Sequence, residues 1–384
     1  MKTIAIVGAG LMGRLIALSL HRQGYQVTLF DKDTKAGHQS AAYAAAGLLT
    51  PLGEAMHCEP NIVEMGFISL KLWPKLLATL DEYTFFQQQG AIMVSHEQDH
   101  GDYRRFARYL QNHYSQHQCQ HLDRQQLIEL EPEIGRSFSQ GMFLPEEGQI
   151  GNRKLLSALK YQLEKANIEW LSECLVASIS SANSASNVSF NSDNRQQQRT
   201  FDLTIDCRGI GARSGVNADK NSVLKDLRAV RGELFQLFSP DVQLSRPIRL
   251  MHPRYQLYIA PKTKGFYVVG ATEIESDDSS PMTVRSAMEL LSAAYSVHPG
   301  FAEANIRQHI SQCRPAFSDN QPKIIAEQHL IQVNGLYRHG FLIAPVVLEQ
   351  VVQLVNNMRL GTSISGEYPY SHLLPISEKN ETIH

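Results

Sequence analysis

The sequence predicts an α/β protein in which a parallel-sheet domain, assembled from discontinuous segments, carries an inserted domain of antiparallel sheet. Three observations predict it. A strand, glycine turn, helix and second strand open the chain before Lys32. Short apolar runs of the kind buried on both faces of a parallel sheet recur far downstream, at Phe201–Cys207 and Leu330–Val333. Between them, alternating runs from Gly232 to Thr272 read as antiparallel sheet.

The opening unit is the most informative. Thr3–Val7 is a nearly all-apolar strand, Gly8-Ala9-Gly10-Leu11-Met12-Gly13 follows at once, and a helical pattern runs on to Gly24. Gln26–Phe30 makes a second strand closing on Asp31. Gly8 allows the tight turn, Gly10 lets a pyrophosphate approach the backbone, and Gly13 lets helix and strand pack closely. The helix N-terminus offers free N–H groups to phosphates, and Asp31 is placed to accept from ribose hydroxyls. This is a Rossmann-like dinucleotide site. The motif alone leaves nicotinamide and flavin dinucleotides both open.

A small-residue segment, Ser40–Leu49, comes next. It reads either as a helix start in a crowded core or as backbone brought against a flat cofactor. Residues 59–81 read as an amphipathic helix, 85–95 as strand, 102–113 as helix, and Asp123 caps a short helix ending at Glu131-Pro132. Asn152–Glu164 is helical and leads to a strand at Ile168–Leu171. Ser192–Gln198 reads as a solvated hairpin tip, and Tyr255–Ala260 pairs with Phe266–Ala271 around Pro261–Gly265. A helix covers about 284–295, and Pro345–Met358 is a helix with proline at its first position. The expected cofactor domain is 1–82, 149–228 and 300–364, the substrate domain is 83–148 and 229–299, and 365–384 is a loosely ordered tail.

Composition excludes several functions. The net charge of -2 provides no field to gather nucleic acid. No uncharged apolar stretch is long enough to span a bilayer, because Arg14 interrupts the N-terminal run. Five scattered cysteines without a C-x-x-C pair suit a reducing cytoplasm. His113, His117, Cys119 and His121 lie in a glutamine-rich stretch that reads as a solvated connection, so no metal is expected.

Later motifs decide the cofactor. AAAGLL at Ala44–Leu49, DCRGIGAR at Asp206–Arg213, VRGE at Val230–Glu233, YIAP at Tyr258–Pro261, VVGAT at Val268–Thr272 and YRHGFLIAP at Tyr337–Pro345 occur together. With Arg314-Pro315, Asp319 and Pro322, the chain resembles the D-amino acid oxidase family from Lys2 to about Leu360, and within it the FAD-dependent glycine oxidases of thiamine biosynthesis. The resemblance implies non-covalent FAD and oxidation of a small amino acid, glycine first, to its imine. It further implies that hydride would pass from Cα to flavin N5 and that oxygen, as electron acceptor, would become hydrogen peroxide. A homo-oligomer is expected.

The resemblance also implies residues. Gly8, Gly10, Leu11, Met12, Gly13, Asp31 and Lys32 would hold the nucleotide, with Val176 on the adenine side. Ala45, Ala46, Gly47 and Leu48, then Cys207, Gly209 and Gly211, would meet the cofactor, as would His339, Gly340, Phe341, Leu342, Ile343 and Arg314. For the substrate, Arg314 would pair with the carboxylate, Tyr258 would donate to it, and Arg338 would be a second arginine nearby. A guanidinium fork suits a carboxylate because it makes two parallel hydrogen bonds. Blander readings stand beside these. Arg338 could brace the loop, and Tyr258 could be an ordinary core residue.

The pattern is departed from at Leu336, where the family has histidine, at Val347-Leu348, where Thr-Gly is usual, and at Glu273, where an apolar residue is common. Leu336 and Val347-Leu348 are expected to line the flavin. Two other readings follow: a D-amino acid or sarcosine dehydrogenase serving another electron carrier, or a flavoprotein acting on a macromolecule.

Overall fold

The computed structural model describes residues 2–182, 184–192, 195–218, 223–252, 256–263, 265–361, 364 and 366–378. The opening unit forms as its sequence dictates: β1 (Thr3–Val7), α1 (Leu11–Arg22) and β2 (Gln26–Phe30). β1 lies between β2 and Leu203–Asp206, parallel to both, in a seven-stranded sheet. Its order is Ile376–Glu378, Lys323–Glu327, Leu330–Asn334, Leu203–Asp206, β1, β2, Glu169–Leu171. Remote parts of the chain thus supply one sheet, and its inner strands are buried on both faces.

Arg14, which breaks the apolar run in the sequence, is buried inside this layer. Nε donates to Ala9 O at 2.7 Å, Nη1 to Leu156 O at 2.7 Å and Nη2 to Lys35 O at 3.1 Å. Its guanidinium also lies over the Trp170 ring at 5.0 Å. The cation therefore ties the glycine turn to helix Asn152–Lys165 and to the loop after β2.

Helix Gly340–Arg359 packs against α1 and Pro60–Leu77 in the core. By length and composition the stretch Tyr337–Arg359 is apolar enough to cross a bilayer, yet much of it is enclosed by these neighbours. Its start corrects the expectation for Pro345, which lies inside the helix, five residues beyond Gly340. A proline there cannot donate to the carbonyl of Phe341. The indole of Trp73 fills that acceptor, donating to Phe341 O at 2.9 Å from the facing helix.

A nine-stranded sheet forms the second layer. Arg228–Phe238 is its long strand, flanked by Phe266–Gly270 on one edge and by Asn305–Ala316 on the other. Pairing of Arg228 with Ala316 through to Phe238 with Asn305 places 305–316 in this sheet, although 300–364 is expected on the cofactor side. Ala91–Ser95, Gln140–Leu144 and Gln120–Asp123 complete the far end. The capping box at Asp123 forms, with Gln126 N donating to the Asp123 carboxylate at 2.9 Å.

The hairpin Gln256–Pro261 with Phe266–Gly270 is present, and residues 255 and 264 lie outside the described residues, as do 193 and 194 in the other expected turn. Ser40–Leu49 is no helix; it is a series of turns ending in a two-residue strand that pairs with Gly148–Gln149. The tail also differs from expectation over its described part. Leu373 and Leu374 are buried, Gln350 donates to Leu374 O at 3.0 Å and accepts from Tyr370 N at 3.1 Å, and Ile376–Glu378 joins the first sheet. Residues 365 and 379–384 lie outside the described set.

Candidate active site

One cavity of about 1070 Å³ lies between the two sheets, and the expected cofactor and substrate residues meet on it. Gly8, Gly10, Leu11, Met12, Asp31, Lys32 and Val176 line it, as do Ala45–Leu48, Cys207, Gly209, Gly211 and His339–Leu342. Arg314, Tyr258 and Arg338 line it too. Two expected contacts do not. Gly13 lies beneath the turn, where an added Cβ would sit 1.8 Å from Gly8 O. Ile343 is fully buried in the helical core. Val347 and Leu348 are likewise core residues and not cavity lining, because the helix turns them toward its neighbours. Leu336 does line the cavity.

At the glycine turn, Asp31 accepts from Ala9 N and, at 2.7 Å, from Asp33 N, so its carboxylate first fixes the turn itself. Ala46 and Gly47 are held from behind by Lys262, whose Nζ donates to Ala46 O at 2.7 Å, Gln149 Oε1 at 2.9 Å and Ile150 O at 3.3 Å. Burial among neutral acceptors pushes the Lys262 ammonium down to about 7.

At the opposite end, Arg314 reaches the cavity from strand Asn305–Ala316 across Gly232, which leaves it room. A Cβ on Gly232 would stand 2.2 Å from the Arg314 guanidinium carbon. Arg314 Nη1 donates to Thr272 O at 3.1 Å, and among the described residues no carboxylate pairs with it. Burial lowers its pKa. Tyr258 lies close by, its hydroxyl against Gly270, and burial raises its pKa.

Arg338 is differently engaged. Its Nη2 is 2.5 Å from Glu54 Oε2 and its Nη1 2.9 Å from Glu273 Oε2. Glu273 also accepts from the Tyr337 hydroxyl at 2.5 Å. Arg338 thus braces its loop through two carboxylates. Glu54 also pairs with Arg249, at 2.6 Å from Nη1. Burial disfavours its charge, but Arg249 and Arg338 outweigh that and hold its carboxyl well below the usual range. Burial drives the neighbouring His339 imidazole down to about 4 and lowers His57 too, so both favour the neutral form.

Glu54, His57, Arg249 and Lys262 escaped the sequence reading. Arg249 had a signal, as a lone charge in the apolar strand Ile248–Met251. Glu54 had none, because its partners are remote in sequence.

Behind this cluster Glu147 is fully buried. It accepts from Gly53 N at 2.7 Å, and Oε2 has no hydrogen-bond partner among the described residues. Burial pushes its carboxyl from 4.5 up to about 8. The folded state then holds the proton more tightly than the unfolded one. That contribution to stability is complete below pH 4.5 and is lost as pH rises through 8. Glu147→Gln is therefore expected to gain stability over the parent as pH rises from 5 to 8.5, by on the order of 1–3 kcal/mol. Melting curves of both proteins across that range check it, and a gap independent of pH would contradict it.

The chemistry of this cavity fits FAD. It has an uncapped helix N-terminus at Gly10, a backbone cradle without bulky side chains at Ala44–Gly47, and a buried Arg208 Nη1 with no partner among the described residues. A family model described as DAO, FAD dependent oxidoreductase, matches residues 3–354. The chain belongs to this DAO family. A Rhizobium etli protein that carries the name thiamine biosynthesis oxidoreductase ThiO is 33% identical over 91% of this chain and 95% of its own. A glycine oxidase from Bacillus licheniformis is 22% identical over 99% of this chain and 98% of its own. The crystal structure of glycine oxidase from Geobacillus kaustophilus superposes with TM-score 0.81 at 22% identity, covering 97% of this chain and 98% of that one. The fold is that of the DAO family, FAD is the cofactor, and the enzyme is of the amino-acid oxidase type.

Proposed function

We propose that this enzyme oxidises the Cα–N bond of a small amino acid, glycine first, to the imine, with oxygen taking the electrons as hydrogen peroxide. The observation that carries the reading is Arg314, a partly buried guanidinium on the cavity wall with no carboxylate partner among the described residues, beside the hydroxyl of Tyr258. A cation held away from bulk water in that condition favours an anion, and its planar fork matches a carboxylate. Tyr258 donates a further hydrogen bond to the same group.

Bound FAD supplies the two-electron acceptor for the Cα–H hydride. Gly8–Met12, Asp31, Val176, Ala45–Leu48 and the start of helix Gly340–Arg359 hold it. Arg314 and Tyr258 fix the substrate by one end, so that positioning supplies much of the rate. Loss of the substrate's ammonium proton frees the nitrogen lone pair that assists departure of the hydride. The five free cysteines suit a cytoplasmic setting, and the name of the Rhizobium relative supports a role in thiamine biosynthesis.

The test is anaerobic mixing of the yellow holoenzyme with glycine, sarcosine and D-amino acids. Bleaching by glycine, followed by peroxide release in air, is expected. Bleaching without peroxide would favour a dehydrogenase, and failure of every small amino acid to bleach the flavin would overturn the reading.

A further inference from the structure

Five charged side chains meet at the substrate end of the cavity, and their pairing is unequal. Glu54 lies between two arginines, 2.6 Å from Arg249 Nη1 and 2.5 Å from Arg338 Nη2. Glu273 takes the other terminal nitrogen of Arg338 at 2.9 Å. Arg314 alone of the three arginines has no carboxylate within ion-pair distance among the described residues. Within this cluster three guanidiniums face two paired carboxylates, and the one without a carboxylate is Arg314; Arg285 and Glu289, also on the cavity wall, carry opposite charges. Farther along the wall Arg105 is matched by Asp102 at 3.0 Å. The neighbouring His57 and His339 add little charge, since burial favours their neutral forms.

We propose that Glu54, assisted by Glu273, determines specificity by neutralising Arg249 and Arg338, so that the site accepts substrates with a single carboxylate and rejects dicarboxylates. The inference rests on Arg314 receiving the substrate carboxylate. A second carboxylate would have to displace Glu54 from two guanidiniums or lie beside it in a poorly solvated cavity, where like charges repel strongly. Removing the Glu54 charge reverses the balance. Arg249 and Arg338 would each lose the Glu54 carboxylate, and a dianion could take its place through charge-assisted hydrogen bonds.

The test measures binding to the holoenzyme through perturbation of the flavin visible spectrum, with acetate and malonate as probes. The parent protein should bind acetate more tightly than malonate. In Glu54→Gln the malonate-to-acetate affinity ratio should rise by about tenfold or more, the worth of one charge-assisted hydrogen bond. Glu273→Gln, at a half-exposed position, should shift it in the same direction by less. Should Glu54→Gln fail to fold, the parent ratio and Glu273→Gln decide. Malonate binding as tightly as acetate to the parent overturns the inference, as does an unchanged ratio in the folded variants. If acetate does not bind the parent at all, the carboxylate role of Arg314 falls, and this inference with it. Acetate binding with an unmoved ratio sinks the inference alone.

Discussion

Replacing Arg314 by alanine is expected to lower kcat/KM for the amino-acid substrate by about a thousandfold, while FAD stays bound. The size follows from what Arg314 does in the cavity. Truncating one member of a buried, hydrogen-bonded charge pair costs roughly 2–5 kcal/mol, because the other charge is left without a partner. Here that other charge is the substrate carboxylate. Orientation is lost as well, since without the fork the Cα–H no longer has a fixed direction, and kcat should fall along with a rise in KM. Arg314→Lys separates the two contributions. It restores the charge but not the paired hydrogen bonds, so KM should recover more than kcat. The alanine change also fills no space, as Gly232 beneath it has no side chain to collapse into the gap. Steady-state kinetics with the flavin spectrum as the control measure both effects. Near-parent kcat/KM in the alanine variant would remove Arg314 from the substrate site.

What could be read from the sequence was what is local. The turn Gly8–Gly13 and its flanking strands depend on periodicity and glycine placement over a few turns of chain, and they form as written. Later motifs located most of the cavity wall, including Arg314 and Tyr258. What was illegible depends on partners brought from afar. Pro345 looks like a helix start because the sequence does not reveal that Trp73 supplies the missing donor. The chain end looks unstructured because its order rests on the Gln350 amide and on a strand partner at Lys323–Glu327. For Arg338 the sequence left a substrate role and a bracing role both open, since neither Glu54 nor Glu273 is near it in sequence. Arg249 and Glu54 are separated by 195 residues, and only the packed structure makes them one ion pair.

Gly13→Ala should do the most damage to the protein as a whole, abolishing stable FAD binding and lowering the melting temperature by several degrees or more. The added Cβ would lie 1.8 Å from Gly8 O and 2.9 Å from Gly8 C, and both are backbone atoms that no rotamer change can move aside. The turn cannot retreat either. Gly8 is itself at φ 101°, a region that L side chains rarely adopt, and its N donates to Phe30 O at 2.8 Å. On its other side, a Cβ at Gly8 would already be 2.6 Å from Cys207 O, so the next strand stands directly behind it. Helix α1 would have to move away from β1, taking with it the N–H groups at Gly10–Met12 and the Arg14 bonds that hold the loop after β2. Overpacking of this kind costs about 1–3 kcal/mol where side chains can yield, and more where only backbone faces backbone. Gly101→Ala is the contrasting change. Gly101 lies within helix His100–His113 with nothing within 4 Å of the added Cβ, so alanine there should stabilise by roughly 0.5–1 kcal/mol. Thermal melting and flavin content of the two variants, purified alongside the parent, give the comparison. A Gly13→Ala protein that retains its flavin and melts with the parent would mean that the turn and helix can separate without loss, and that the close packing at Gly13 is not what holds the dinucleotide site together.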